Sequence, residues 1–132
     1  MLNTFLLVDD APVIRMAIQR MLVKAGISAT QIEQAGDGEE AIKIFDEINA
    51  DVVFMDMEMP GMDGETASTE IMMRNPEVKV IIITGLARDD PRVKNIISMG
   101  AFDVVQKPVH EAEIRRILTM IQQDDPAFGT IL

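Results

Sequence analysis

Short apolar runs alternate with longer stretches of helical spacing along this chain. Phe5-Leu6-Leu7-Val8 is the first run and ends at Asp9-Asp10. Val13, Ile14, Ala17, Ile18, Met21, Leu22 and Ala25 then recur every three or four residues, the spacing of an amphipathic helix. Pro12 suits its first turn and Gly26 its end. Residues 30–35 read as a second strand, Gly36-Asp37-Gly38 as a turn, and Glu39 to Ile48 as a helix with Ala41, Ile42 and Phe45 on one face. Val52-Val53-Phe54-Met55 is a continuous apolar run that again stops at an acid, Asp56. Such runs suit strands covered on both faces, as in parallel sheets. Pro60-Gly61-Met62-Asp63-Gly64 predicts a loop. Residues 65–75 predict a helix stopped by Asn75-Pro76. Val78 to Ile83 is rich in β-branched residues and predicts a strand ending at Thr84-Gly85. A helix from Pro91 to Met99, closed by Gly100, precedes a short strand from Phe102 to Gln106 that ends at Lys107-Pro108. Residues 109–123 predict a last helix striped by Ile114, Ile117, Leu118 and Ile121. Asp124-Asp125-Pro126 breaks it before the end segment Ala127 to Leu132.

Five strands alternating with five helices predict a doubly wound α/β domain around a mostly parallel sheet. Right-handed crossovers put all the carboxyl ends of such strands on one edge, where open sheets bind their ligands. That edge collects Asp9 and Asp10, Asp56, Thr84 and Lys107, far apart in sequence. Three neighbouring carboxylates repel one another unless a cation neutralises them. A hard divalent cation with oxygen ligands fits, and Mg²⁺ leaves room for a phosphate oxygen. A lysine opposite supplies a point charge for a phosphoryl group, and a threonine hydroxyl a further donor. One carboxylate then serves as nucleophile in aspartyl-phosphate chemistry.

Composition narrows the choice. The 132 residues suit one domain, and 48% apolar content supports a folded core. A formal charge of −10 argues against a nucleic-acid or anionic-lipid surface and suits a cation or a basic partner. There is no cysteine, so disulfides and thiolate chemistry are excluded, and the single His110 excludes a multi-histidine metal site. Trp and Tyr are absent, which leaves little to stack on a flavin or a base. No apolar run approaches the ~18 residues of a membrane span, and the start lacks the basic and apolar regions of a secretory signal. Cytoplasm is the expected compartment.

Together, Leu7-Val8-Asp9-Asp10, the stretch Gly36-Asp37-Gly38-Glu39-Glu40-Ala41, the stretch Met55 to Gly64, Ile83-Thr84-Gly85 and Lys107-Pro108 resemble the receiver domain of two-component response regulators, of the stand-alone CheY-like kind. The resemblance spans about residues 3–123 and implies a receiver domain over 1–123 with a C-terminal tail over 124–132. It implies a flavodoxin-like (βα)5 three-layer sandwich with a five-stranded parallel sheet in the order 2-1-3-4-5. It implies that Asp56 accepts phosphate from a histidine kinase. Mg²⁺ would be held by Asp10 and Asp56 directly, by Asp9 largely through water, and by the backbone carbonyl of Glu58. Thr84 and Lys107 would hold the phosphoryl group, and the Lys107–Pro108 bond would be cis. Output would be contact with a downstream protein through the face of the fourth helix, fifth strand and fifth helix. The chain would catalyse nothing beyond its own phosphorylation and dephosphorylation.

Three positions tune the pattern. Val104 stands where many members carry the Tyr or Phe that swings inward on activation, so only Thr84 and the loop at 85–90 remain to move. Glu58 and Leu86, each two residues after a site residue, hold positions that help set phosphoryl lifetime in the family. Other readings place His110 at the surface, the methionines in core and loops with Met57, Met59 and Met62 as an alternative partner surface, and Arg115-Arg116 on a solvated or partner-facing side. Competing functions are a receiver trimmed from a longer regulator with an output domain, a haloacid-dehalogenase-like phosphatase and a flavodoxin-like FMN carrier. The phosphatase needs Asp-x-Asp after the first strand, whereas Asp9 and Asp10 are adjacent. The flavin carrier needs a neutral, hydroxyl-rich first loop.

Overall fold

A computed structural model of the chain describes residues 3–126 and Phe128. The strands are β1 (Phe5–Val8), β2 (Ile32–Ala35), β3 (Val52–Asp56), β4 (Lys79–Thr84) and β5 (Asp103–Gln106). The helices are α1 (Pro12–Lys24), α2 (Gly38–Ile48), α3 (Gly64–Arg74), α4 (Pro91–Ser98) and α5 (Glu111–Asp124). All neighbouring strands pair in parallel, in the order β2-β1-β3-β4-β5. No helix among the described residues is long and apolar enough to cross a membrane.

The two-residue period of a strand explains why the apolar runs are unbroken. Phe5, Leu7, Val52, Phe54, Ile81, Ile83 and Val105 face one side and pack on Ile18, Leu22, Ile114, Ile117, Leu118 and Ile121 of α1 and α5. Leu6, Val8, Val53, Met55, Val80, Ile82 and Val104 face the other and pack on Ala41, Phe45, Ala67, Ile71, Val93 and Ile96 of α2, α3 and α4. Each large side chain so buried stabilises the fold by about 1.5–3 kcal/mol, which favours apolar residues through the middle of these strands.

The helix starts are set locally. Asp37, Asp63 and Asp90 cap α2, α3 and α4 by accepting from the N–H groups of Glu40, Thr66 and Arg92 at 2.8, 2.8 and 2.9 Å. The expected strand over 30–35 begins only at Ile32. Ala29–Gln31 form a 3₁₀ turn, closed by a capping box between Ser28 and Gln31. In the expected stripe of α1, Ile18 and Leu22 are buried, but Val13 and Ile14 are exposed. The last helix starts at Glu111 rather than 109, with His110 extended as its N-cap, and the Lys107–Pro108 bond is cis. It takes in Asp124, and Phe128 packs edge-on against Phe5 with ring centroids 6.0 Å apart. Of the expected tail, Ala127 and residues 129–132 lie outside the described residues.

Gly64, at the first turn of α3, lies against the end of β3. A Cβ there would sit 2.0 Å from the Asp56 carbonyl oxygen and 2.7 Å from the Met57 Cα, both backbone atoms. Gly64→Ala should therefore lower unfolding stability by about 3 kcal/mol or more, because backbone cannot step aside as a side chain can. Urea denaturation checks this, and a loss below about 1 kcal/mol would contradict the close approach.

Candidate functional site

The sheet edge brings together every residue that the strand ends supply. Asp9, Asp10 and Asp56 each offer a carboxylate oxygen, and these atoms lie within 4.8 Å of one another. Asp9 and Asp56 are buried, whereas Asp10 is exposed. Neither Asp9 nor Asp10 lies in the first turn of α1, so the pair is not an ordinary helix cap. Lys107 Nζ lies 2.9 Å from Asp56 Oδ1. Thr84, fully buried at the end of β4, donates its hydroxyl to Glu58 Oε1 at 2.5 Å and accepts from the Leu86 N–H at 3.0 Å. The Glu58 N–H points back at Asp56 Oδ1, 3.3 Å away.

Electrostatics follow from burial. Burial pushes the Asp56 carboxyl up to about 6, with the Asp9 charge adding and Lys107 opposing. Asp9 is also raised by burial, against the Ala11 N–H that its Oδ1 accepts at 2.8 Å. For Lys107, burial acts downward, but the Asp56 carboxylate, with Asp9 and Glu58, outweighs it and raises the ammonium above its usual value. Asp9 Oδ2 is buried and has no hydrogen-bond partner in the structure. A buried carboxylate oxygen with no donor, beside two further carboxylates, is the acceptor-only set that a hard divalent cation completes. These residues therefore fit Mg²⁺.

Comparison with known proteins decides the family of a chain that carries this cluster. A family model for the response regulator receiver domain matches residues 5–119. The chain belongs to the response regulator receiver domain family. Receiver domains of response regulators are by general function phosphorylation switches of two-component signalling, phosphorylated by histidine kinases and acting on downstream targets. The receiver is 32% identical over 118 residues to the chemotaxis protein CheY of Thermotoga maritima, covering 89% of this chain and 96% of that protein. It is 34% identical over 117 residues to the response regulator GacA of Pseudomonas viridiflava, covering 88% of this chain. It spans only 53% of that regulator's length. Among solved structures, a response regulator receiver domain protein from Clostridium thermocellum superposes with a TM-score of 0.84 at 28% identity, covering 95% of this chain and 98% of that one.

Some surroundings of the receiver site are invisible to strand-end reasoning. Arg15 Nη1 donates to the Asp9 carbonyl while its Nε reaches Gln34 Oε1 at 3.0 Å, fixing the start of the acidic loop. Its signal was available: Arg15 occupies the stripe of Ile18 and Leu22, where a charge is out of place unless it has a job. Met57 and Met59 are buried and Met62 packs on the core, so this cluster fills the loop rather than forming a partner surface. Arg116 is half-buried and binds Asp103 and Glu113 at 2.9 Å each, so it is not a freely solvated side chain. His110 is exposed, as expected.

The Asp56 shift has a thermodynamic consequence. Its carboxyl holds a proton more tightly folded than unfolded, so its contribution to stability falls as pH rises through the window from about 4 to about 6. Above that window the ionised group is a standing cost. Without divalent cations, Asp56→Asn should be more stable than the wild type by about 2 kcal/mol at pH 7.5, and the gap should close by about pH 4. Urea denaturation in EDTA at both pH values measures this, and equal stability at pH 7.5 would refute it.

Proposed function

We propose that Asp56 is the phosphoacceptor of this receiver, with Thr84 and Lys107 as the groups that hold the phosphoryl. In this reading a carboxylate oxygen of Asp56 attacks the phosphorus of a phosphohistidine on a histidine kinase. The new P–O bond forms as the P–N bond breaks, and the imidazole nitrogen leaves with the electron pair. Lys107 neutralises charge on the transferred group, and the Thr84 hydroxyl donates to another of its oxygens. Asp9, Asp10, Asp56 and the backbone carbonyl of Glu58 are the residues that would hold Mg²⁺, which when bound neutralises phosphoryl charge. The observation that carries the proposal is the buried Asp56 carboxylate, 2.9 Å from Lys107 and clustered with Asp9 and Asp10.

The downstream reading is a protein partner at the face of α4, β5 and α5. Val104 is buried in the core and offers no ring to swing. The loop at 85–90 is tied to β5 instead by Gln106 Nε2 donating to the Leu86 carbonyl at 2.7 Å, and by Arg88 Nη2 donating to the Val104 carbonyl at 2.9 Å. A shift of Thr84 reaches this face through that loop. The same chemistry serves a stand-alone receiver and one joined to an output domain, as the greater length of the GacA relative allows.

Intact mass after incubation with Mg²⁺ and acetyl phosphate tests the reading. One phosphoryl group should be gained by the wild type, and none by Asp56→Ala or in EDTA. A phosphorylated Asp56→Ala protein would overturn the assignment. Asp10→Ala should lower Mg²⁺ affinity by at least about tenfold. Lys107→Ala should leave Mg²⁺ binding intact and uncouple phosphorylation from partner binding, and a fully responsive Lys107→Ala protein would remove Lys107 from the mechanism.

A further inference from the structure

We infer that Glu58 is a positioning residue that holds Thr84 in its resting place, and that the phosphoryl group displaces it by claiming the same proton. The inference rests on the reading of Thr84 as a phosphoryl-holding group. A threonine hydroxyl has one proton to give. Here that proton goes to Glu58 Oε1 at 2.5 Å, while the same oxygen accepts from the Leu86 N–H at 3.0 Å. Thr84 is fully buried, so water does not compete for it, and a hydrogen bond to a carboxylate is stronger than one between neutral groups. The Glu58 backbone is held beside the site by its own N–H, which donates to Asp56 Oδ1 at 3.3 Å. The resting position of Thr84, and with it the start of the loop at Leu86, is therefore set from the loop that follows the strand carrying Asp56.

One proton cannot serve two acceptors. A phosphoryl group on Asp56 brings negative oxygens to the carboxylate that already occupies Thr84, and like charges at this distance repel. Glu58 can yield cheaply. It is exposed and lines a groove of about 370 Å³ with Pro60, Glu65 and Arg92, so its release leaves no buried unpaired charge. Phosphorylation thus exchanges one anion on Thr84 for another, and the exchange frees the carboxylate.

Two measurements test this, and the first needs no phosphoryl group. Amide hydrogen exchange at Leu86 in the resting protein should speed up several-fold in Glu58→Ala and stay near wild type in Glu58→Gln, whose carbonyl oxygen still accepts. No change in Glu58→Ala, or equal acceleration in Glu58→Gln, would overturn the inference. The second is beryllofluoride affinity in Mg²⁺. Glu58→Ala should bind about tenfold more tightly than wild type, the worth of one hydrogen bond to a charged group. The gain should vanish when Thr84 is also changed to Val. A full gain in the Thr84→Val background would assign the effect to charge alone and defeat the inference. A wild type that forms no adduct, with Leu86 exchange behaving as expected, would defeat the phosphoacceptor reading while leaving the Glu58–Thr84 contact established.

Discussion

A carboxylate at the end of a central parallel strand is held where water barely reaches it. Asp56 follows four core residues on β3, with β1 and β4 on either side, so its burial is imposed by the sheet and not by its own chemistry. The surrounding arrangement answers that cost. Lys107 supplies a positive charge, the Glu58 N–H a donor, and Asp9 and Asp10 make the pocket negative enough to call for a cation. Loops, caps and helix placement can be read as the means of holding these groups against Asp56.

The same strand has packed core on one side of the site and a hydrogen-bonded loop on the other. Residues up to Met55 are locked between two helical layers, and Gly64 lets α3 close against the Asp56 carbonyl. On the other side, the Thr84 hydroxyl is joined to β5 by hydrogen bonds through Leu86, Gln106 and Arg88. Hydrogen bonds of this kind are directional and exchangeable, whereas packed side chains resist small displacements.

Legibility in the sequence divided along physical lines. The alternation of apolar runs and helical stripes marked five strands and five helices, because burial on both faces leaves a continuous apolar signal that few other structures produce. The runs also ended at Asp9, Asp56, Thr84 and Lys107, so most of the site was visible as polar residues placed directly after buried ones. Boundaries were less legible. Ala29–Gln31 form a 3₁₀ turn because a Ser28–Gln31 capping box outcompetes strand pairing, and Val13 and Ile14 are apolar yet exposed because α1 is turned by Ile18 and Leu22.

The chain's pattern by itself determined the class of fold, the layers and the list of residues brought to one edge, because each depends on periodicity and on the handedness of crossovers. Tertiary structure alone decided how those residues stand toward one another. That Glu58 rather than solvent takes the Thr84 proton, that Arg15 reaches the Asp9 carbonyl, and that Arg116 is tied to Asp103 all depend on side chains from different elements meeting. Local spacing carries no information on such meetings. They are set by how closely the sheet and its helices pack, and a hydrogen bond depends on differences of a few tenths of an ångström that no one-dimensional pattern encodes.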